Sequence, residues 1–358
     1  MTGPHDAGAH PHVARVYLHE PLAGRTTLGV GGPAERFVEV DDPASLAGAL
    51  AEARLEGSPL LVLGAGSNVV IADEGFAGTV VRVAMVGRRV EHNGEGVVVS
   101  VAAGEDWSSF VSYCVAEGFS GLECLSGIPG SVGATPVQNV GAYGQEVRET
   151  VAGVTVWDRF EHRARHLSPG DCQFGYRDSV FKRSGRYVVT EVTFCLERSA
   201  LSRPLRYAEL AKLLGVAVGS RAPLDVTSQA VISLRRVKGM VLDSSDPDSR
   251  SVGSFFTNPV LDAAAMSRLA ELAPAVPRFA VPDGTKVPAA WLVEHAGFAR
   301  GYRRGLAAIS TKHALAITAG AGCSAADVVA LAKEVRDGVR VRFGVLLVPE
   351  PALVGVHL

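Results

Sequence analysis

Hydrophobic and polar positions change their period repeatedly along this 358-residue chain, and each change marks an element. Alternation through Phe37, Val38 and Val40 predicts a strand, and Asp42 with Pro43 then opens a helix. The Ala/Leu-rich run from Ala44 to Leu55 has helical spacing and stops near Gly57 and Pro59. A short apolar run from Leu60 to Leu63 reads as a buried strand. Gly64-Ala65-Gly66-Ser67-Asn68 makes a tight turn, and Val69 to Ile71 returns to β-branched residues. Strand patterns follow at Thr79 to Val83 and Gly96 to Ala102. Asp106 to Glu117 makes a helix with Phe110, Val111, Cys114 and Val115 on one side.

Between Val151 and Leu196 the runs VAGVTVWD and RYVVTEVTFCL predict strands that enclose FGYRDSVFK. The polar patch DSSDPDSRS from Asp243 to Ser251 reads as a surface loop. Ser324 and Asp327 make a capping box, and Val328, Leu331, Ala332, Val335 and Val339 continue one apolar helix face. Gly344 breaks that helix before VLLVPEP, which is expected to be a terminal strand carrying Glu350. The class is α+β, with strands and helices interspersed. The expected division is a disordered tail over 1–16, one domain over 17–200 in two subdomains meeting near 75–85, and a second domain over 201–358.

Composition narrows the function. Hydrophobic residues make up 47% and charged residues 20%, enough for more than one core. Net charge is −2 without a basic stripe, which argues against nucleic acid as a partner. The start lacks the layout of a signal peptide and no uncharged apolar run approaches ~20 residues, so a cytoplasmic protein with no membrane association is expected. The five cysteines are odd in number, widely spaced and never in a CxxC pair, which suggests buried free thiols and no metal site. His10 and His12 fall in the Pro/Gly-rich tail.

Two glycine stretches carry candidate chemistry. GIPGSVGATPVQNVGAYG, from Gly127 to Gly144, is glycine-rich yet apolar and has no charge between Glu123 and Glu146. Such a chain can lie close against a large neutral ring, or it can simply make tight turns in a sheet. Gly64 and Gly66 suggest a dinucleotide fingerprint, but Val69 stands where the third glycine belongs and a strand follows. What remains is a turn whose N–H groups could hold a diphosphate. Three further clusters stand out: GYRDSVFK around Arg177, VGSFFTNP around Ser254 and VPEP around Glu350. Each has an ordinary reading, as an ion pair, a turn hydroxyl and a solvated acid.

Together, in this order, these segments resemble the UDP-N-acetylenolpyruvoylglucosamine reductase family over roughly residues 20 to 356. LRYAEL at Tyr207 and AAWLVEHAGFARG at Ala289 to Gly301 look like its longer form. The resemblance implies a flavin fold of the vanillyl-alcohol oxidase and p-cresol methylhydroxylase group plus a C-terminal α+β substrate domain. It further implies non-covalent FAD, with NADPH as co-substrate, reducing the enolpyruvyl group of a UDP-sugar for peptidoglycan precursors. By that resemblance Gly64, Ala65, Gly66, Ser67 and Asn68 hold the diphosphate of FAD. Gly127, Ile128, Pro129, Gly130, Ser131, Gly133, Gln138, Asn139 and Gly141 line the flavin. Arg177 is the implied catalytic arginine, Ser254 the proton donor and Glu350 the third catalytic group. Tyr143, Tyr176, Tyr207, Lys238 and Asn258 match substrate positions. A monomer is expected.

The residue types suit that chemistry. A hydride delivered to the terminal vinyl carbon leaves negative charge that the adjacent carboxylate can share, and a fixed guanidinium suits such a charge. A positioned hydroxyl can protonate a strongly basic carbon. An ionised acid beside developing negative charge would oppose it, so Glu350 is expected to act protonated or hydrogen-bonded. The chain departs from some members in a longer loop between Lys238 and Ser254, in Phe279 and His313, and in Val348. An oxidase of the same flavin fold is an alternative, weakened because neither glycine stretch contains the His or Cys to which such enzymes often attach flavin. A non-catalytic flavin or nucleotide binder is another, but it would not need Arg177, Ser254 and Glu350.

Overall fold

The computed structural model describes residues 14–94 and 96–358. Most of the expected tail, with His10 and His12, lies outside the described residues. Arg15 and Val16, expected in that tail, instead open the strand Arg15–Pro21, paired antiparallel with Pro33–Val40. Two parallel neighbours, Phe76–Val83 and then Leu60–Leu63, complete this sheet. The helix Pro43–Leu55 crosses between its strands. Asp42 accepts bonds from the N–H groups of Ala44 and Ser45, and Ser45 returns the capping box.

A second, antiparallel sheet runs Arg163–Leu167, Val151–Asp158, Tyr187–Arg198, Gly96–Ala102 and Arg88–Asn93, with Phe119–Ser120 against the long strand. The helix Trp107–Ala116 packs on it through Trp107, Phe110, Val111 and Cys114, capped by Asp106. Trp107, Phe110 and Phe194 touch at ring-centroid distances of 5.3 to 5.9 Å. One apolar core, from Val38 to Leu196, joins both sheets. Alternation along Tyr187–Arg198 turns Cys195 outward, and Cys323 is half-buried, so two of the expected buried thiols are not buried.

The C-terminal part has its own core around the helix Ala325–Phe343, whose face of Val328, Leu331, Ala332, Val335 and Val339 is buried. Gly344, at φ 68°, ends this helix in the left-handed region that favours glycine. The helix covers a sheet ordered Ser251–Ser254, Ala316–Ala319, Ala307–Ile309, Arg303–Arg304. The expected terminal strand is displaced: Glu350 lies before it, and the strand is Ala352–Val354. Pro349 and Pro351 have no N–H to donate, so the segment around Glu350 makes one bridge, Phe256 to Pro349. Ala352–Val354 then pairs parallel with Val69–Ile71, bringing the end of the chain back to the first glycine turn.

Candidate active site

That return builds the site. Ala352 N–H donates to Asn68 O at 3.0 Å, and Glu350 N–H donates to Phe255 O at 2.9 Å. One short segment is therefore tied to both the glycine turn and the strand of Ser254. A cavity of about 640 Å³ lies between them. Its wall holds Gly64 to Asn68, Ile128 to Ser131, Gly133, Gln138, Gly141, Tyr143, Arg177, Tyr207, Lys238, Ser254 and Glu350.

The two glycine stretches face each other across it. A Cβ on Gly64 would stand 2.5 Å from Ser131 Oγ, and one on Gly130 would stand 3.1 Å from Ser67 Oγ. Asn68 Nδ2 donates to Gln138 Oε1 at 2.5 Å. Among the described residues the backbone N–H groups of Ala65, Gly66, Ser67 and Asn68 donate to no backbone carbonyl. A row of unspent donors on a turn is an anion cradle; here Gly66 is buried, Ser67 and Asn68 are half-buried and Ala65 is exposed. The volume, the apolar walls and this cradle fit a dinucleotide cofactor with a diphosphate.

Not every expected cofactor residue is in the wall. Asn139 is fully buried and its amide is spent on protein: Nδ2 donates to Glu146 Oε2 at 3.0 Å and Gly175 O at 2.8 Å, and Oδ1 accepts from Arg148 N at 3.1 Å. Gly127 backs the wall, with Val241, Ile232 and Arg235 where a side chain would go. The side chain of Asn139 and the far side of Gly127 thus shape the loop from behind. Tyr176 and Asn258 line a second cavity of about 550 Å³ on the other side of Arg177. Asn258 Oδ1 also accepts from Ala289 N at 2.9 Å, at the start of the helix Ala289–His295.

Arg177 has φ 53°, a conformation a long side chain adopts only under local constraint. Its guanidinium donates to Asn139 O at 3.3 Å and to Gly141 O, and Nε stands 3.4 Å from Glu350 Oε1. Asp178, its chain neighbour, pairs with Arg183. Burial raises the pKa of Glu350 above the ordinary carboxylate value, while Arg177 and Lys182 oppose that shift. Ser254 ends the strand Ser251–Ser254 and makes no side-chain bond among the described residues, so its hydroxyl is free to meet a ligand.

Beside them is a polar, aromatic wall. Tyr143, at φ 48°, meets Tyr207 edge-on at 5.3 Å, and Lys238 Nζ stands 5.7 Å from the Tyr143 ring. Burial raises the Tyr143 pKa, and Lys238 and Arg235 resist this. Burial opposes the charge on Lys238, but Glu209, at 2.8 Å, and Tyr143 more than offset it, and its pKa lies above the ordinary value.

Sequence reasoning missed Arg235 and gave no role to His313, both in the cavity wall. Arg235 could have been found, since it lies one helical turn before Lys238 at the end of the helix Leu224–Val237. His313 Nδ1 accepts from Leu315 N at 3.2 Å, which leaves the proton on Nε2. Burial, then Lys238, Arg235 and Arg300, push its pKa down to about 4. The expected surface loop at 243–251 is only partly so. Asp248 is buried and accepts from Thr311 N at 2.9 Å and Thr311 Oγ1 at 2.5 Å, which fixes the stretch leading to His313.

Residues 246–354 match the family model described as UDP-N-acetylenolpyruvoylglucosamine reductase, C-terminal domain, and residues 34–160 match one described as FAD binding domain. Relatives named UDP-N-acetylenolpyruvoylglucosamine reductase include one from Thermobifida fusca, 54% identical over 94% of this chain and 98% of its own length. Another, from a Mycobacterium species, is 49% identical over 100% of both chains. The crystal structure of the reductase of that name from Thermus caldophilus superposes with a TM-score of 0.65 at 25% identity, covering 95% of this chain and 98% of that one.

Proposed function

The chain belongs to the UDP-N-acetylenolpyruvoylglucosamine reductase family, and on that premise we propose that Arg177, Ser254 and Glu350 carry an FAD-dependent reduction of a UDP-linked enolpyruvyl sugar. The product is UDP-N-acetylmuramate, the reductant is NADPH, and the reaction belongs to peptidoglycan precursor synthesis. The observation that carries the assignment of roles is the convergence of three distant segments on one cavity, with Glu350 tied by its backbone to Phe255 and by charge to Arg177.

FAD, held between the two glycine stretches, would supply the hydride transfer from NADPH to the enolpyruvyl group. Gly64 to Asn68 would hold its diphosphate through their unspent N–H groups, and Ile128 to Gly133 would lie along it. Arg177 binds the substrate carboxylate and steadies the negative charge that spreads onto it. Ser254 gives its Oγ proton to the neighbouring carbon, and its lack of any other bond suits that task. Glu350 is raised toward its protonated form by burial, so it donates to the same charge instead of repelling it. Tyr143, Tyr207 and Lys238 bind the nucleotide diphosphate side, with Glu209 holding Lys238 until the anion arrives. Tyr176 and Asn258, across Arg177, take the outer part of the substrate.

The same proposal includes an FAD domain over 17–200, a substrate domain over 201–358, and a monomer acting in the cytoplasm. The test is anaerobic. The yellow enzyme is bleached with NADPH and mixed with the enolpyruvyl UDP-sugar. Rapid return of flavin absorbance supports the proposal, and a flavin that stays reduced until air is admitted sinks it in favour of an oxidase.

A further inference from the structure

Arg235 lies in the cavity wall at 8% exposure, without a carboxylate partner among the described residues. Nη2 donates to Met240 O at 2.7 Å, while Nε is shielded from solvent and bonds to nothing. Its Cδ would stand 3.7 Å from a Cβ on Gly127, directly behind the second glycine stretch. Burial lowers its pKa to about 10, which still leaves it charged at neutral pH. A guanidinium taken out of water without a counter-charge is unfavourable, and buried charges are normally paired.

Lys238, one turn further along, is arranged differently. Its ammonium has Glu209 at 2.8 Å, a partner it can release when an anion enters. A cation that serves a ligand which comes and goes needs such a stand-in. Arg235 has none, so the negative partner that completes it must stay throughout turnover. NADPH and the UDP-sugar come and go, whereas FAD remains.

We propose that Arg235 supplies the resident positive charge against the ring system of FAD and thereby favours its reduced, more negative form. This rests on the reading that FAD occupies the cavity. A hydride from NADPH brings two electrons and one proton, NADP⁺ leaves, and the ring system is one charge more negative until it takes a second proton. No bond to Arg235 changes, and its charge acts through space.

The test compares the reduction equilibrium of FAD-loaded wild-type enzyme with Arg235→Gln and Arg235→Lys, against a reference dye and without any enolpyruvyl substrate. Because no substrate is present, the result is independent of whether Arg177, Ser254 and Glu350 carry the reaction. Arg235→Gln is expected to disfavour the reduced form about tenfold or more, which is about 30 mV for a two-electron couple. Arg235→Lys is expected to stay within about threefold at pH 7, where the ammonium keeps the charge. An unchanged equilibrium in Arg235→Gln, with weaker binding of the UDP-sugar, would transfer Arg235 to the substrate and overturn the proposal. Should Arg235→Gln fail to hold FAD, Arg235→Lys is followed from pH 7 to 9, below the value of about 10 at which Arg235 itself would lose its charge. Neutralising its ammonium must then lower the potential more steeply than in wild type, and parallel curves overturn the proposal.

Discussion

Arg177 Nε stands 3.4 Å from Glu350 Oε1, yet the carboxyl still titrates above its ordinary range because burial outweighs the cation's attraction. The sign of its pH effect on folding follows. Unfolded Glu350 ionises at the ordinary value, so its contribution to stability is fully present below that pH and is lost as pH rises through the folded-state value. Glu350→Gln is always neutral and escapes that loss. Relative to wild type, its melting temperature is expected to be higher at pH 8 than at pH 4.5. A difference that stays constant with pH would mean that folding does not raise the pKa of Glu350.

Ser254 offers a separation of half-reactions. Its hydroxyl has no structural bond to lose, so Ser254→Ala should fold normally and keep reduction by NADPH within about threefold. Turnover with the enolpyruvyl substrate should fall about 10²–10⁴-fold, the range for a positioned proton donor. Ser254→Cys, which still carries a proton, should recover part of it. Stopped-flow measurement of each half-reaction decides, and equal damage to both would make Ser254 a structural residue.

Much of this was legible in the chain because the signals were local. The helix start at Asp42, the capping box at Ser324 and the strands Leu60–Leu63 and Gly96–Ala102 follow from period and capping chemistry within a few residues, although in Leu60–Leu63, expected to be buried, only Leu63 is buried. The candidate site was legible through glycines and three short clusters, which the fold brings to one cavity. Most of what the chain did not disclose is non-local. Asn139 looks like a cofactor ligand in a glycine stretch, but Glu146, Gly175 and Arg148 consume its amide. The strand predicted at VLLVPEP forms only after Pro351, where Val69–Ile71 offers an edge. Arg235 reads as an ordinary helix-end arginine until the fold buries it beside the cavity.

The glycines of the first turn should not be equivalent. Gly66 has φ 67°, and a Cβ there would stand 2.1 Å from Arg25 O, a backbone atom that cannot swing away. Gly66→Ala is expected to cost at least ~2 kcal/mol and to lose bound FAD. At Gly64 the obstacle is Ser131 Oγ at 2.5 Å, which can rotate, and its φ is not left-handed. Gly64→Ala should fold with a smaller loss of melting temperature. Melting curves and flavin content per chain compare the two, and equal losses would refute the steric account.

His313 gives the opposite pH sign to Glu350. Burial, with Lys238, Arg235 and Arg300 nearby, takes its pKa down to about 4, so the folded protein holds it neutral where the unfolded chain would protonate it. Its contribution is present above about pH 6.5 and is lost as pH falls toward 4, by up to about 3 kcal/mol. His313→Gln keeps a donor and cannot titrate, so it should unfold less readily than wild type as the pH drops through that window. Above pH 7 the two should differ little in that respect. Substrate affinity between pH 6 and 8 should also be free of any His313 titration, because Nδ1 is already committed to Leu315 N and Nε2 carries its proton throughout. Chemical denaturation at pH 4.5, 6 and 7.5 measures the first effect. A gap between the variants that does not grow as the pH falls would show that His313 is charged in the fold, and the neutral donor assigned to it would have to be abandoned.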